Sequence, residues 1–392
     1  MKSLNMAGLS IYFCIILTFV IAVVASTVII PMIVTFCRKY GYYDQPNQRK
    51  VHSAAIPRLG GLAFLPAMSI AAVTVLVLYY SSTTKQPVFH ASTALMMLGA
   101  SMIYALGIFD DLLDLPAKLK FFILMVASAF VPLCNLYISN LEGIFGIYEI
   151  PLWLSYPLTV LVIMTIVNAI NLIDGIDGLA SGISIIILAV LTFLFVNLRS
   201  VLFSVISAGL LGSVLTFFCY NFFGHVGRHK IFMGDAGSLI LGYVMSYLAI
   251  KYMMLTEQDI YTDTNPLLIP LSLFIVPVFD LIRVAFTRLL NGEPMFKADK
   301  RHIHHMLMAM GLSMHQTLCC ILAMVLLFLF TNYALDYLGA PFTVIVLLDL
   351  ALFALFFVLT YSISQYRAFQ TSNPEKEQNE DFCSRNELRG AQ

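Results

Sequence analysis

The stretch SLNMAGLSIYFCIILTFVIAVVASTVIIPMIVTFC (3–37) contains no charged residue. A helix that crosses a bilayer needs about 20 consecutive apolar residues, and this run exceeds that. It is too long for a cleaved signal peptide and ends in no convincing small-residue cleavage motif, so it reads as a retained first membrane helix. Further apolar runs follow at 59–84, 86–109, 121–141, 150–173, 178–198, 200–224, 236–254, 264–286, 311–335 and 337–361. The fold class expected is an all-α polytopic integral membrane protein with about eleven transmembrane helices. Composition agrees: 60% of the 392 residues are hydrophobic and 11% charged, against about 25% charged in a soluble domain. Lys plus Arg balances Asp plus Glu, 22 against 22, so no basic field attracts nucleic acid. The seven cysteines show neither CxxC nor zinc spacing. Cys14, Cys134, Cys219, Cys319 and Cys320 read as small core residues.

Basic residues in the loops set the orientation. Arg38, Lys39, Arg49, Lys50 and Arg58 follow helix one, and Lys118 and Lys120 follow helix three. Arg228 and Lys230 follow helix seven; Arg288, Lys297, Lys300 and Arg301 follow helix nine. The alternate loops are poor in them. The N-terminus is therefore expected outside, the C-terminus in the cytoplasm, and the basic loops at the cytoplasmic face. Residues 1–365 read as one transmembrane domain and 366–392 as a disordered cytoplasmic tail. The segment SNLEGIFGIYEI (139–150) reads as an outer hairpin or interfacial turn.

Nearly every group capable of chemistry lies in the basic loops. Asp110 and Asp111 close helix three, with Asp114 after them. Adjacent helical residues point about 100° apart, so the pair cannot share one job. Asn168, Asn171 and Asp174 are spaced one turn apart, and Gly175, Asp177 and Gly178 follow. A cap explains one such polar group, not four. Asp235, in FMGDAGS (232–238), reads equally as an N-cap or a site residue. The run Arg301-His302-Ile303-His304-His305 fits a basic anion-binding loop better than a transition-metal site. Asp280 and Arg283 read as a structural pair, and Asp349 as the buried partner of another helix's polar group. Carboxylates gathered at one membrane face repel unless a divalent cation joins them, and oxygen donors suit Mg²⁺ or Mn²⁺. Lysine, arginine and histidine beside them suit phosphates. The constellation fits a nucleotide diphosphate with Mg²⁺, within reach of a lipid headgroup. Clusters at one face, with no internal repeat, argue against a transporter.

Five blocks carry a family resemblance: DQPNQRKVHSAAIPRLGG (44–61), GIFDDLLDLPAKLKF (107–121), NAINLIDGIDGLASG (168–182), IFMGDAGSLILG (231–242) and DKRHIHHML (299–307). In this order they resemble the polyprenyl-phosphate N-acetylhexosamine-1-phosphate transferases (glycosyltransferase 4), the group of WecA, TagO and MraY. The resemblance implies a fold of ten or eleven helices, the ninth long and broken, with a cytoplasmic active-site cleft. The implied reaction joins a UDP-sugar to polyprenyl phosphate, giving polyprenyl-diphospho-sugar and UMP with Mg²⁺, the first membrane step of an envelope glycan. The His302-Ile-His304-His305 form looks like the WecA/TagO branch, which implies UDP-GlcNAc and undecaprenyl phosphate in the cell membrane. Another UDP-N-acetyl sugar, or UDP-MurNAc-pentapeptide, is the alternative donor. A homodimer is left open.

The resemblance also implies roles. Asp235 and Asn171 match metal ligands, and Asp110, with Asp111 beside it, matches a base toward the lipid phosphate. Lys120 matches a phosphate or sugar contact. Asp177, Asn221 and Phe232 match uridine-recognising positions, and Arg301, His302, His304 and His305 the loop over the diphosphate and sugar. Asp174 matches a site position without an assigned role. Arg49, Lys50, His52 and Arg58 are expected to attract anionic headgroups or substrates.

Overall fold

The computed structural model describes residues 9–44, 55–83, 91–257, 265–294 and 301–372. Arg49, Lys50, His52, Lys297, Asp299, Lys300 and the tail from 373 onward lie outside the described residues. In lipid every backbone polar group must be satisfied within the chain, and uncharged runs of this length do so as helices. They are α1 (Ile11–Tyr40), α2 (Phe64–Ser81), α3 (Ala91–Leu113), α4 (Ala117–Leu133), α5 (Leu152–Ile173), α6 (Leu179–Asn197), α7 (Val201–Phe222), α8 (Asp235–Glu257), α9 (Leu268–Leu290), a short α10 (Ile303–Ala309), α11 (Met314–Tyr337) and α12 (Phe342–Ser372). Ten are long and apolar enough to cross a bilayer. The 17-residue α4 stands at the short end of the spanning range. Every apolar run in the sequence thus becomes one helix.

Three expectations are corrected. The ninth helix is not broken: α9 runs continuously through Pro277, and the short α10 is a separate element. The segment expected to be disordered from 366 begins as helix, because α12 continues to Ser372. Cys219 and Cys319 are exposed rather than in the core, although Cys14 is buried; in a membrane bundle an apolar thiol faces lipid without penalty.

The centre of the bundle is α8, buried without interruption from Ala236 to Ile250 and flanked by α3, α5 and α6. Its small residues let neighbouring backbones come close. At Gly107 on α3, a Cβ would lie 2.3 Å from the Ala236 Cα. That crossing puts the ends of α3 and α8 side by side. Two hairpins sit outside the bundle. β1 (Tyr43–Asp44) pairs antiparallel with β2 (Ile56–Pro57), and β3 (Asn140–Ile144) with β4 (Ile147–Glu149). The latter is the turn expected at 139–150.

Candidate active site

At the end of the bundle where α3, α5 and α7 finish and α8 begins, the chain leaves a cleft of about 680 Å³. Asp110, Asp111, Asn171, Asp174, Asp177, Asn221, Phe232, Asp235 and His305 all line it. These residues, far apart in sequence, were named from separate loops. Arg58, Asp44, Asp114 and Met314 also belong to the wall.

Asp111 is held by the start of α8. Its Oδ1 accepts from the Asp235 amide and its Oδ2 from the Ala236 amide, both at 3.0 Å. It therefore caps α8 from another helix, satisfying donors that a helix start leaves open. Gly234 permits this: its φ is +74°, and a Cβ there would meet the Asp111 Oδ2 at 2.6 Å. Arg58 donates to the Asp111 carbonyl. Asp110 faces elsewhere. Its Oδ1 accepts from the Leu115 amide at 3.0 Å, its Oδ2 pairs with the Lys120 ammonium at 2.6 Å, and its carboxyl group lies close to that of Asp235. Asp235 Oδ1 in turn accepts from Asn171 Nδ2 at 2.9 Å, which also donates to Ser238 Oγ at 2.8 Å.

A second pocket of about 100 Å³ lies behind these groups. Asp110, Asn171 and Asp235 belong to both cavities. The rest of the smaller one is Lys120 and Asn168 among Leu106, Ala117, Phe121, Leu124 and Leu239.

The opposite side of the cleft is a stitched pair of loops. Asn221 is buried; its Oδ1 accepts from the Gly178 amide at 2.7 Å and its Nδ2 donates to the Ile231 carbonyl at 3.0 Å. Phe232 is bound through its backbone to Pro57 and Gly60. Asp177 pairs with Lys230 at 2.5 Å. Asp174 opens into the cleft. The surrounding protein, then the charges of Asp177 and Asp111, raise its carboxyl to about 7.

The histidine segment is divided. His305 reaches the cleft, whereas His302 and His304 are buried beside it. Burial, then His305 and His302, push the His304 imidazole down to about 3, so it is neutral. Arg301 turns to Glu293 at 2.7 Å. Reading by loops missed Lys230, which had served only to orient the chain, and the contact of Asp280 with His302 at 2.8 Å. No local signal marks either one, because each partner lies on another element.

The whole arrangement is a ring of carboxylates and amides, with Arg58, Lys120 and Lys230 bonded to its aspartates. Residues 93–253 match glycosyl transferase family 4. The chain is 34% identical over 302 residues to a probable undecaprenyl-phosphate N-acetylglucosaminyl 1-phosphate transferase of Bacillus subtilis, covering 76% of this chain and 78% of the relative. It is 29% identical to the undecaprenyl-phosphate alpha-N-acetylglucosaminyl 1-phosphate transferase of Yersinia pestis and 28% identical to that of Escherichia coli K12, in each case over 71% of this chain and 72% of the relative. With its five blocks in order and its carboxylates gathered in one cleft, the chain belongs to glycosyl transferase family 4, the polyprenyl-phosphate N-acetylhexosamine-1-phosphate transferases.

Proposed function

We propose that this multi-pass membrane enzyme transfers N-acetylglucosamine 1-phosphate from UDP-GlcNAc to undecaprenyl phosphate at the cytoplasmic face of the cell membrane, releasing UMP. The observation that carries the reading is the wall of Asp110, Asn171 and Asp235 shared by a polar cleft and an apolar side pocket. A soluble nucleotide sugar has access to these groups from the cleft. A lipid phosphate would enter by the side pocket, where Lys120 stands among Leu106, Ala117, Phe121, Leu124 and Leu239. The relatives are named for transfer of the same group, N-acetylglucosaminyl 1-phosphate, to the same acceptor, undecaprenyl phosphate.

In the reaction an oxygen of the acceptor phosphate attacks the β-phosphorus of the donor. The bond from that phosphorus to the bridging oxygen breaks, and UMP leaves with the electron pair. A phosphate monoester has its second pKa near ~6, so the acceptor is largely a dianion at neutral pH and needs little help from a base. Asp110 holds Lys120 in place, and the lysine steers the acceptor phosphate. Asp177 and Phe232 line the uridine end, and Asn221 shapes it by fixing Gly178 and Ile231.

The residues fit a divalent cation. Carboxyl groups as close as Asp110 and Asp235 share either a proton or a cation. Among the described residues no three His, Cys, Asp or Glu side chains converge on a metal position. Asp235 and the Asn171 carbonyl oxygen would therefore hold the ion together with substrate phosphates, as Mg²⁺ prefers; Mn²⁺ suits the same donors. Once bound, it would neutralise charge building on the departing phosphate.

The test is UMP release by purified protein in detergent with undecaprenyl phosphate and Mg²⁺. UDP-GlcNAc, UDP-GalNAc and UDP-MurNAc-pentapeptide are compared, with and without EDTA. Release from UDP-GlcNAc that requires both lipid and metal is expected. Asp235→Asn should lower it roughly 100-fold, and extra Mg²⁺ should not restore it. Turnover of another donor alone would overturn the sugar assignment, and none at all would overturn the reaction.

A further inference from the structure

Asp280 lies on α9, 2% exposed, and has no part in the roles given so far. The segment that opens α10 takes both its oxygens. Oδ2 is 2.8 Å from His302 Nδ1, and Oδ1 accepts from the Ile303 amide at 3.0 Å. Arg283, one turn along α9, donates to Oδ1 at 2.9 Å and to the Arg301 carbonyl. Its guanidinium lies 4.1 Å from the centroid of the Phe357 ring on α12. Three rings then lead to the cleft. His302 and His304 lie parallel with centroids 6.0 Å apart, and His304 and His305 follow at 4.2 Å. His304 presses on Gly175, where a Cβ would meet its Nε2 at 2.2 Å. His305 belongs to the cleft wall.

The geometry points to Asp280 as a positioning residue that fixes the ring and the proton of His302 and so holds the histidine segment against the 174–178 loop. This rests on the transferase reading, which places the histidine segment near the donor diphosphate. A carboxylate only accepts, so Nδ1 of His302 carries the proton, and the ring so fixed keeps His304 and, through it, His305 in place at the cleft wall. A structural pair with Arg283 alone would account for neither the bond to the ring nor the bond to the Ile303 amide. Arg283 serves the same end by tying the preceding carbonyl to α9 and resting on Phe357.

Asp280→Asn is the discriminating substitution. It keeps the shape and one acceptor oxygen, but it turns an amide donor toward Nδ1 and forces the ring proton to Nε2. The kcat for UMP release is expected to fall roughly 100-fold through misplacement of the histidine segment, with little change in the KM for UDP-GlcNAc or in Tm. His302→Gln should fall comparably, and the double variant should be no slower than His302→Gln alone, because both act on one group. Multiplying losses, or a lowered Tm with normal kcat, would overturn the assignment. A second measurement needs neither turnover nor a folded Asp280 variant. In wild-type protein labelled with ¹⁵N at histidine, the ring signal missing from His302→Gln should carry its proton on Nδ1. A neutral ring protonated only on Nε2 would overturn the proposal. If no UDP-sugar is turned over, the transferase reading fails while this spectrum still decides the role of Asp280.

Discussion

Asp111 gives both carboxylate oxygens to the first amides of α8, while Asp110, one residue earlier, faces Lys120 and Asp235. The 100° step between adjacent helical residues makes that division readable from sequence. Lys120 follows Asp110 closely enough to be read as its neutralising partner, but the contacts with Asp235 and Ala236 are not readable, because those residues sit more than a hundred positions away on α8. The same holds for Asp177, whose partner Lys230 lies beyond α7. Asp174 gives a testable consequence at this scale. Its folded pKa, about 7, exceeds the ordinary value of 3.8, so the folded state holds the proton more tightly than the unfolded chain. Ionisation of Asp174 therefore lowers stability, beginning as pH rises past the ordinary value and complete above about 7. Water in the cleft screens the effect and keeps it small. Asp174→Asn cannot ionise. In metal-free detergent its Tm relative to wild type should climb from about pH 4 to about pH 7 and level off above that; a constant difference would show that Asp174 ionises normally.

At the scale of elements, the apolar runs decide the helices because a bilayer leaves the backbone no other way to satisfy itself. Their ends are less legible. The expected span 311–335 becomes α11 from Met314, fixed by a capping box in which Ser313 Oγ accepts from the Gln316 amide and the Gln316 side chain accepts from the Ser313 amide. Polar residues inside the spans show how the helices hold one another. Asn332 on α11 donates to Asp349 Oδ2 on α12 at 2.8 Å and to Ser272 Oγ on α9 at 3.0 Å. Asp349 is thus the buried partner that its sequence position led one to expect, and the tie joins three helices far from the cleft. Asn332→Ala should lower stability in detergent by about 1 kcal/mol, near the middle of the range for interhelical bonds in membranes. Chemical denaturation monitored by tyrosine and tryptophan emission would measure it. The kcat of the folded enzyme should stay unchanged, because none of these three residues lines either cavity.

For the whole molecule, the decisive feature is that consecutive spans alternate in direction. The ends of α1, α3, α5, α7 and α9 gather at the cleft, and the β3–β4 hairpin, between α4 and α5, lies at the other end. Clustering of chemistry at one end was legible because the motifs fell on alternate loops; the depth of the cleft was not, since it depends on how closely α3 crosses α8. The same loops carry Arg38, Arg58, Lys118, Lys120, Arg228 and Lys230. Positive loops are retained on the cytoplasmic side, and the proposed donor is a cytoplasmic nucleotide, so charge bias and chemistry require one orientation. Single cysteines in a cysteine-free background test it. Arg228→Cys lies at the cleft end, and Tyr148→Cys in the middle of the exposed β4 strand. In intact cells a membrane-impermeant maleimide should label Tyr148→Cys and leave Arg228→Cys untouched until the membrane is opened. The reverse pattern would put the cleft outside, away from any cytoplasmic nucleotide sugar, and the proposed reaction would lose its donor.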